Sequence, residues 1–361
     1  MLEEIAISFK NQDYSTAAKL IKQLLKESPE NLWGRFYLGK LYEVSSKQEK
    51  AEEVYRQLLR LTTNTKILNQ ARQGLKRLEE IKEAARKQAI IQAIAAPNDN
   101  ELGILVLEPI NNEIKTKLIP KFAQIMQLDP YSARLILPSR GWRVYRTGKI
   151  GELQFYGTQL QQAGIPCFWL KIAQVQQIKV FQVEYFIESQ SKVTVFCRNE
   201  LDQLGAFSFD LSEVTAKVMG MLPIFEQVVD VNHRRQIIRK TKTQDYAQFC
   251  DLLLPKIQTI LRIYDHGYDF NQGLELFSQS TQNTMRINWN NLVKWLENEL
   301  PQAKSWTGFT PFAETVLDQT EMLNQIPSHV NLFRREQTNW DAAFQLYSGI
   351  ILNLELRGYT N

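Results

Sequence analysis

The stretch LWGRFYLGKLYEVSSKQEKAEEVYRQLLRL, residues 32–61, decides the architecture of the first part of the chain. Within it Leu38, Gly39, Tyr42, Ala51 and Tyr55 stand at spacings of 1, 3, 9 and 4. That spacing predicts two helices that touch, because Gly39 and Ala51 are small enough to let backbones approach while the large residues around them fill the seam. Thirty-four residues earlier Ala17 and Ile21 occupy the places of Ala51 and Tyr55, and Pro29 closes the unit. A repeat of this period means stacked helical hairpins. The expected helices cover 2–11, 14–27, 31–43 and 48–61. A third unit begins at Lys66 but has Arg72 and Gln73 where Leu and Gly are expected. Its stripe of Ile67, Ala71, Leu75, Leu78, Ile81 and Ala85 follows a 3.6-residue period, so it reads as a capping helix running nearly to Ala96.

These residues resemble the tetratricopeptide-repeat family over roughly the first 65 positions, with the match carried by the second repeat. The resemblance implies a shallow concave groove that holds an extended peptide or a helix of a protein partner. Phe9, Asn11, Arg35, Phe36 and Lys40, on the inner helices, are the candidate partner-binding residues. The alternative is that the helices pack only on later parts of the chain or on a second copy, as a homodimer.

Beyond Pro97, Asn98, Asp99 and Asn100, a polar break, the period changes from helical to strand-like. A strand is expected over 103–110, a helix over 114–127, and a second helix over 130–136 opened by Asp129 as cap with Pro130 in its first turn. A short strand over 142–146, a helix over 149–163 ended by Gly164, and a strand over 165–171 complete the order β-α-α-β-α-β. That order, with the ending QLQQAGIPCFWLK, is similar to the C-terminal domain of ribosomal protein L7/L12 and to the adaptor ClpS. The resemblance implies a compact docking domain of about 70 residues and transfers no binding residue. Three alternating runs, IKVFQVEYFIES, KVTVFCR and LGAFSFDL, read as an antiparallel meander. Strands over 222–231, 235–242, 246–254 and 258–270 follow, and from Asn288 the pattern is helical. The expected fold is α+β and multidomain, with domains over 1–96, 101–172 and 173–361. In its repeat-then-sheet layout the chain resembles cyanobacterial tetratricopeptide proteins, a likeness that implies no activity.

The 361 residues, 44% hydrophobic and 23% charged, describe a folded chain rather than a disordered one. No apolar run reaches the ~20 residues of a membrane span, and MLEEIAISFKNQDY lacks the basic start and apolar run of a secretory signal. A cytoplasmic protein without a membrane span is expected. Net charge is +4, and the whole surplus lies in residues 1–100, with 17 basic against 13 acidic side chains. That is too diffuse for a phosphate-backbone footprint, so nucleic acid is not the default partner. Cys167, Cys197 and Cys250 are odd in number and sit in apolar runs, which makes them core thiols.

No metal, phosphate-loop, dinucleotide or nucleophile-elbow spacing is present around His233, His266, His329 or any glycine-rich turn. No cofactor is expected. Two clusters carry charge that chemistry could use. His233, Arg234, Arg235, Arg239, Lys240 and Lys242, on a hairpin free of acids over that stretch, suit a phosphorylated ligand or acidic partner, or else a solvated edge strand whose charges block edge pairing. Alternation sends Arg235 and Arg239 to one face and Arg234 and Lys240 to the other, which divides the charge. Asp265 and His266, with Tyr264, Tyr268 and Asp269, place a carboxylate beside an imidazole, but Asp-His-Gly-Tyr-Asp is also an ordinary polar turn. The sequence therefore reads as a non-enzymatic adaptor or regulatory scaffold, with an anion or nucleotide sensor using residues 233–242 as the alternative.

Overall fold

The computed structural model describes residues 1–95, 97–189, 192–231, 235–274, 284–332 and 337–358. The chain forms two compact units, Met1–Gln92 and Ala93–Asn361.

The first unit consists of α1 (Leu2–Lys10), α2 (Tyr14–Glu27), α3 (Leu32–Val44), α4 (Gln48–Leu61) and the 29-residue α5 (Thr65–Ala93), which carries on past its end. Short polar side chains set where helices begin. Asp13 accepts the Thr16 N–H at 3.0 Å and Asn31 accepts the Gly34 N–H at 2.9 Å, each satisfying a donor that the first turn leaves open. The equivalent small residues Ala17 and Ala51 are both fully buried. Tyr55 lies between two glycines, so that a Cβ on Gly39 would fall 2.7 Å from its Cε1 and one on Gly74 would fall 2.5 Å from its Cε2. The third unit thus keeps its small residue, one position later than the 34-residue period places it.

The second unit opens with β1 (Leu102–Leu107), α6 (Asn112–Met126), α7 (Pro130–Ile136), β2 (Arg143–Lys149), α8 (Ile150–Gln162) and β3 (Cys167–Lys171), the expected β-α-α-β-α-β order. Asp129 caps α7 through the Tyr131 and Ser132 N–H groups, and Gly164 has a φ of +83° after α8. The three strands form an antiparallel sheet in the order β2-β1-β3. Then follow α9 (Ile172–Gln176), β4 (Lys179–Ser189), β5 (Lys192–Arg198), β6 (Leu204–Phe209), β7 (Ala216–Val231), β8 (Ile237–Leu254) and β9 (Thr259–Tyr264). The chain continues through α10 (Met285–Glu299), β10 (Lys304–Trp306), α11 (Phe309–Ala313), α12 (Thr320–Leu323) and α13 (Asn339–Leu356).

The larger sheet has the order β10-β7-β8-β9-β4-β5-β6. The meander β4-β5-β6 is antiparallel as expected, but β4 pairs with β9, and β7 with β10, in parallel. The strands expected over 235–242 and 246–254 are one strand, β8, bulged opposite Ile224 and Phe225. The strand expected over 258–270 ends at Tyr264, where the chain turns.

No boundary falls at residue 172. Ile104, Val106, Phe168 and Leu170 of the small sheet share one hydrophobic cluster with Val218, Phe249 and Phe344 of the later elements. The physical reason lies in β1 and α13. β1 is buried on both faces, so its small sheet cannot finish its own core. α13 is buried from Asp341 through Leu354, as a helix apolar nearly all round must be. On the opposite face of the large sheet Trp289, Leu292 and Leu296 of α10 cover Cys250, Leu252 and Ile263. Among the described residues, no helix is long and apolar enough to cross a membrane.

Candidate functional site

The inner helices α1, α3 and α5 bring one set of side chains together. Phe9 stacks on Tyr37 with centroids 5.5 Å apart, and the Lys40 ammonium stands 5.3 Å from the centroid of the Phe9 ring. Tyr14 meets Phe9 edge-on at 5.9 Å, and Tyr37 meets Phe36, so an aromatic row runs from α2 through α1 into α3. Beside it Arg77 grips Glu43, with Nε donating to Oε1 at 2.7 Å and Nη2 to Oε2 at 3.0 Å. The Tyr55 hydroxyl donates to the same carboxylate at 2.8 Å. Burial opposes ionisation of Glu43, but the hydrogen bonds from Arg77 and Tyr55 outweigh it and hold the carboxyl below its ordinary range. Burial and the Glu43 carboxylate push the Tyr55 phenol far up. Glu43 and Arg77 are 34 residues apart, and Phe9 precedes Glu43 by the same interval, so one position of each unit contributes to this face.

The structure gathers only part of the expected partner-binding set. Phe9 and Lys40 meet, as described. Phe36 is 4% exposed and packs among Trp33, Tyr37 and Tyr55, which makes it core, because its place on α3 faces α4. Arg35 turns to the α2–α3 loop, donating to the Pro29 carbonyl at 3.0 Å and pairing with Glu30 at 3.1 Å. Asn11 ends α1, its N–H bonded to the Ile7 carbonyl, and is exposed. Tyr37, Glu43 and Arg77 were not singled out from sequence, although the 34-residue interval from Phe9 is the signal that finds the last two. Lys40 has no carboxylate within ion-pair distance among the described residues and acts on Glu43 only at longer range, so its ammonium stands beside half-buried rings.

The basic hairpin does not converge on a pocket. Of its expected residues, His233 and Arg234 lie outside the described ones. Lys240 and Lys242 both turn to Asp230 across the ladder, at 3.5 and 3.4 Å. Arg239 sits opposite Val229 on the other face, and Arg235 has a φ of +56° in the connection. For Arg239 and Lys240 the register puts the charges on opposite faces, while Arg235 lies outside the strand.

The Asp265–His266 pair is a turn. Asp265 accepts the N–H groups of Gln248 and His266 and contacts His266 Nδ1 at 2.7 Å, so backbone donors occupy its oxygens. Gly267 does not have a positive φ; a Cβ there would fall 2.1 Å from the Tyr264 ring. Asp269 caps the next turn through the Asn271 N–H.

A polar cluster that sequence reasoning missed lies inside the second core. Asp251 on β8 and Arg262 on β9 are fully buried register partners, bonded twice at 2.9 and 2.7 Å. Arg262 also donates to the Ser328 carbonyl at 2.7 Å and to Gln345 at 3.0 Å, and stands over the Phe344 ring. His329 beside it has a φ of +49°, and burial together with Arg262 lowers its imidazole to about 4. Its 3.5 Å contact with Glu200 is therefore not an ion pair at neutral pH. All five Arg262 guanidinium donors point at protein, which suits a structural clamp on the chain around Ser328. The three cysteines are buried, and burial raises their thiols to about 12, 11 and 12 for Cys167, Cys197 and Cys250. Among the described residues no group of three or more His, Cys, Asp and Glu side chains is placed to share a metal ion.

No family model matches this chain, and neither a curated protein nor a solved structure matches it.

Proposed function

We infer that the protein is a non-enzymatic, cytoplasmic adaptor whose N-terminal helical hairpins, read as tetratricopeptide repeats, receive a segment of a partner protein on the α1–α3–α5 face. The observation that carries this reading is the half-buried Phe9–Tyr37 stack with the Lys40 ammonium against it. Such a surface suits an apolar or aromatic anchor next to a carboxylate, since the ring faces exclude water and strengthen the charge contact. The rival, an anion or nucleotide sensor at residues 233–242, has weaker support because two of its lysines are turned to Asp230 and Arg239 faces the other way.

A photo-cross-linking residue at position 40, compared with one at the exposed Lys19, tests the adaptor reading in the native host. A partner protein trapped at position 40 and not at 19 is expected, with capture reduced about tenfold or more by Lys40→Glu, equivalent to ~1.4 kcal/mol. Cross-links between identical peptides would identify a second copy as the occupant. Equal trapping at both positions, with capture lost only on deleting residues 101–361, would move the interaction to the second unit.

A further inference from the structure

The β7–β8 hairpin extends well beyond the sheet that anchors it. β10 borders β7 only over Ala216, Lys217 and Val218, and β9 borders β8 only from Phe249 inward. The β8–β9 ladder stops at Gln248, whose N–H donates to the Asp265 carboxylate and whose carbonyl accepts the Asp265 N–H, both at 3.1 Å. Tyr246 N–H is taken by the Asp245 side chain at 2.8 Å. From there to Ile237, β8 pairs with β7 on one side and, among the described residues, has no third strand on the other. Residues 237–243 thus form an open strand edge of about 23 Å at ~3.3 Å per residue.

Two features mark this edge as unfinished. Two-stranded ribbons are marginal in water, and this one exposes Ile237 at 78% and Val229 at 69%. The edge residues also carry Arg239, Lys240 and Lys242 with no acid among residues 237–243; among the described residues both lysines meet Asp230, and the ladder sets Glu226 opposite Lys242. Cations on both faces of one strand cannot enclose a small anion. They do match an added strand, whose own side chains alternate between the same two faces and lie directly beside them.

We propose that the open edge of β8 over residues 237–243 takes up an acidic, extended segment of another protein as a third strand, held by backbone hydrogen bonds and flanked by carboxylates against Arg239, Lys240 and Lys242. The mode is strand addition, with ladder bonds giving affinity and the alternating charges giving register. It is independent of the repeat face. Charge complementarity selects the occupant, because a second copy would bring an equally basic edge against this one.

The test uses the full-length protein and a blocked seven-residue peptide of valines alternating with paired glutamates, followed by amide hydrogen exchange. At about 1 mM peptide, exchange of alternate amides within 237–243 should slow by about tenfold or more. Methylation of the peptide nitrogens that face β8 should abolish the slowing, and so should Lys240→Gln with Lys242→Gln in the protein. Failure of the unmethylated peptide to slow exchange overturns the proposal. Equal protection by the methylated peptide overturns it in favour of a plain cationic patch. Protection by a short DNA duplex at the same charge concentration, without protection by the peptide, overturns it in favour of a nucleic-acid arm.

Discussion

Replacing Gly74 by alanine sets two effects of opposite sign against each other. Gly74 lies inside α5, where alanine is intrinsically better by about 1 kcal/mol. The new Cβ would stand 2.5 Å from Tyr55 Cε2 and 2.7 Å from Cζ, about 0.9 Å short of an ordinary carbon contact. Relief requires the ring to move, and the opposite edge is held by Gly39, where a Cβ would already be 2.7 Å from Cε1. Tyr55 is fully buried and its hydroxyl is fixed to Glu43 at 2.8 Å, so a shift also strains a hydrogen bond to a charged acceptor. Overpacking costs about 1–3 kcal/mol, and loss of such a bond up to about 1.5–3 kcal/mol. The net expectation is a destabilisation of about 1–3 kcal/mol after the helix-propensity gain. Amide exchange of α3, α4 and α5 in the full-length protein reads this locally, free of the second unit's unfolding. Gly74→Ala should accelerate exchange in all three helices. In a Tyr55→Leu background, which removes the far edge of the ring, the same change should be neutral or stabilising, giving a coupling of at least ~1 kcal/mol. Slower exchange in Gly74→Ala alone, or additive effects in the double variant, would refute the wedge.

Glu43 has a carboxyl lowered from its usual 4.5, so the stability it contributes is present above that pH and is lost as pH falls through the folded value. Helix content and exchange protection of the first unit should therefore drop on acidification below pH 4.5, and Glu43→Gln should flatten that dependence while weakening the unit at pH 7 by about 1–2 kcal/mol. His329 is lowered from 6.5 to about 4, so unfolding takes up a proton between these values and the second unit loses stability as pH falls through that window, by about 3 kcal/mol in all. His329→Asn, which tolerates the positive φ, should remove this slope in urea titrations at pH 4 and pH 7. Asp251→Asn leaves the buried Arg262 charge unneutralised and should cost about 3–5 kcal/mol, whereas Asp251→Leu with Arg262→Met should cost far less in the same titrations.

Local chemistry made most of the elements readable in advance. Short side chains at Asp13, Asn31 and Asp129 act on backbone donors two or three residues away, and Gly164 answers a backbone angle at its own position. These interactions span a turn of chain, so a single sequence contains both partners side by side. The contact of Gly39 with Tyr55 crosses from one helix to the next, and it was legible because the 34-residue repeat sets the same two positions, Ile5 and Ile21, together in the first hairpin. Gly74 was hidden because the small residue of α5 comes one position after the 34-residue period, whereas Arg77 keeps that period, and only the packed Tyr55 ring and the Glu43 carboxylate reveal which residues face inward. The merger of the central and C-terminal regions was hidden for a different reason. Alternation tells which faces of β1 are apolar, but not that α13, more than two hundred positions later, is part of what covers one of them. Strand register decided the charges as well. Lys240 and Lys242 were legible as cations, but their turn toward Asp230, and the pairing of Arg262 with Asp251, follow from which residues the ladders set opposite one another. Sequence thus determined what depends on neighbours along the chain, the caps, periods and helix seams. Tertiary structure alone decided burial, partner and open edge, because those depend on which distant surfaces exclude water together.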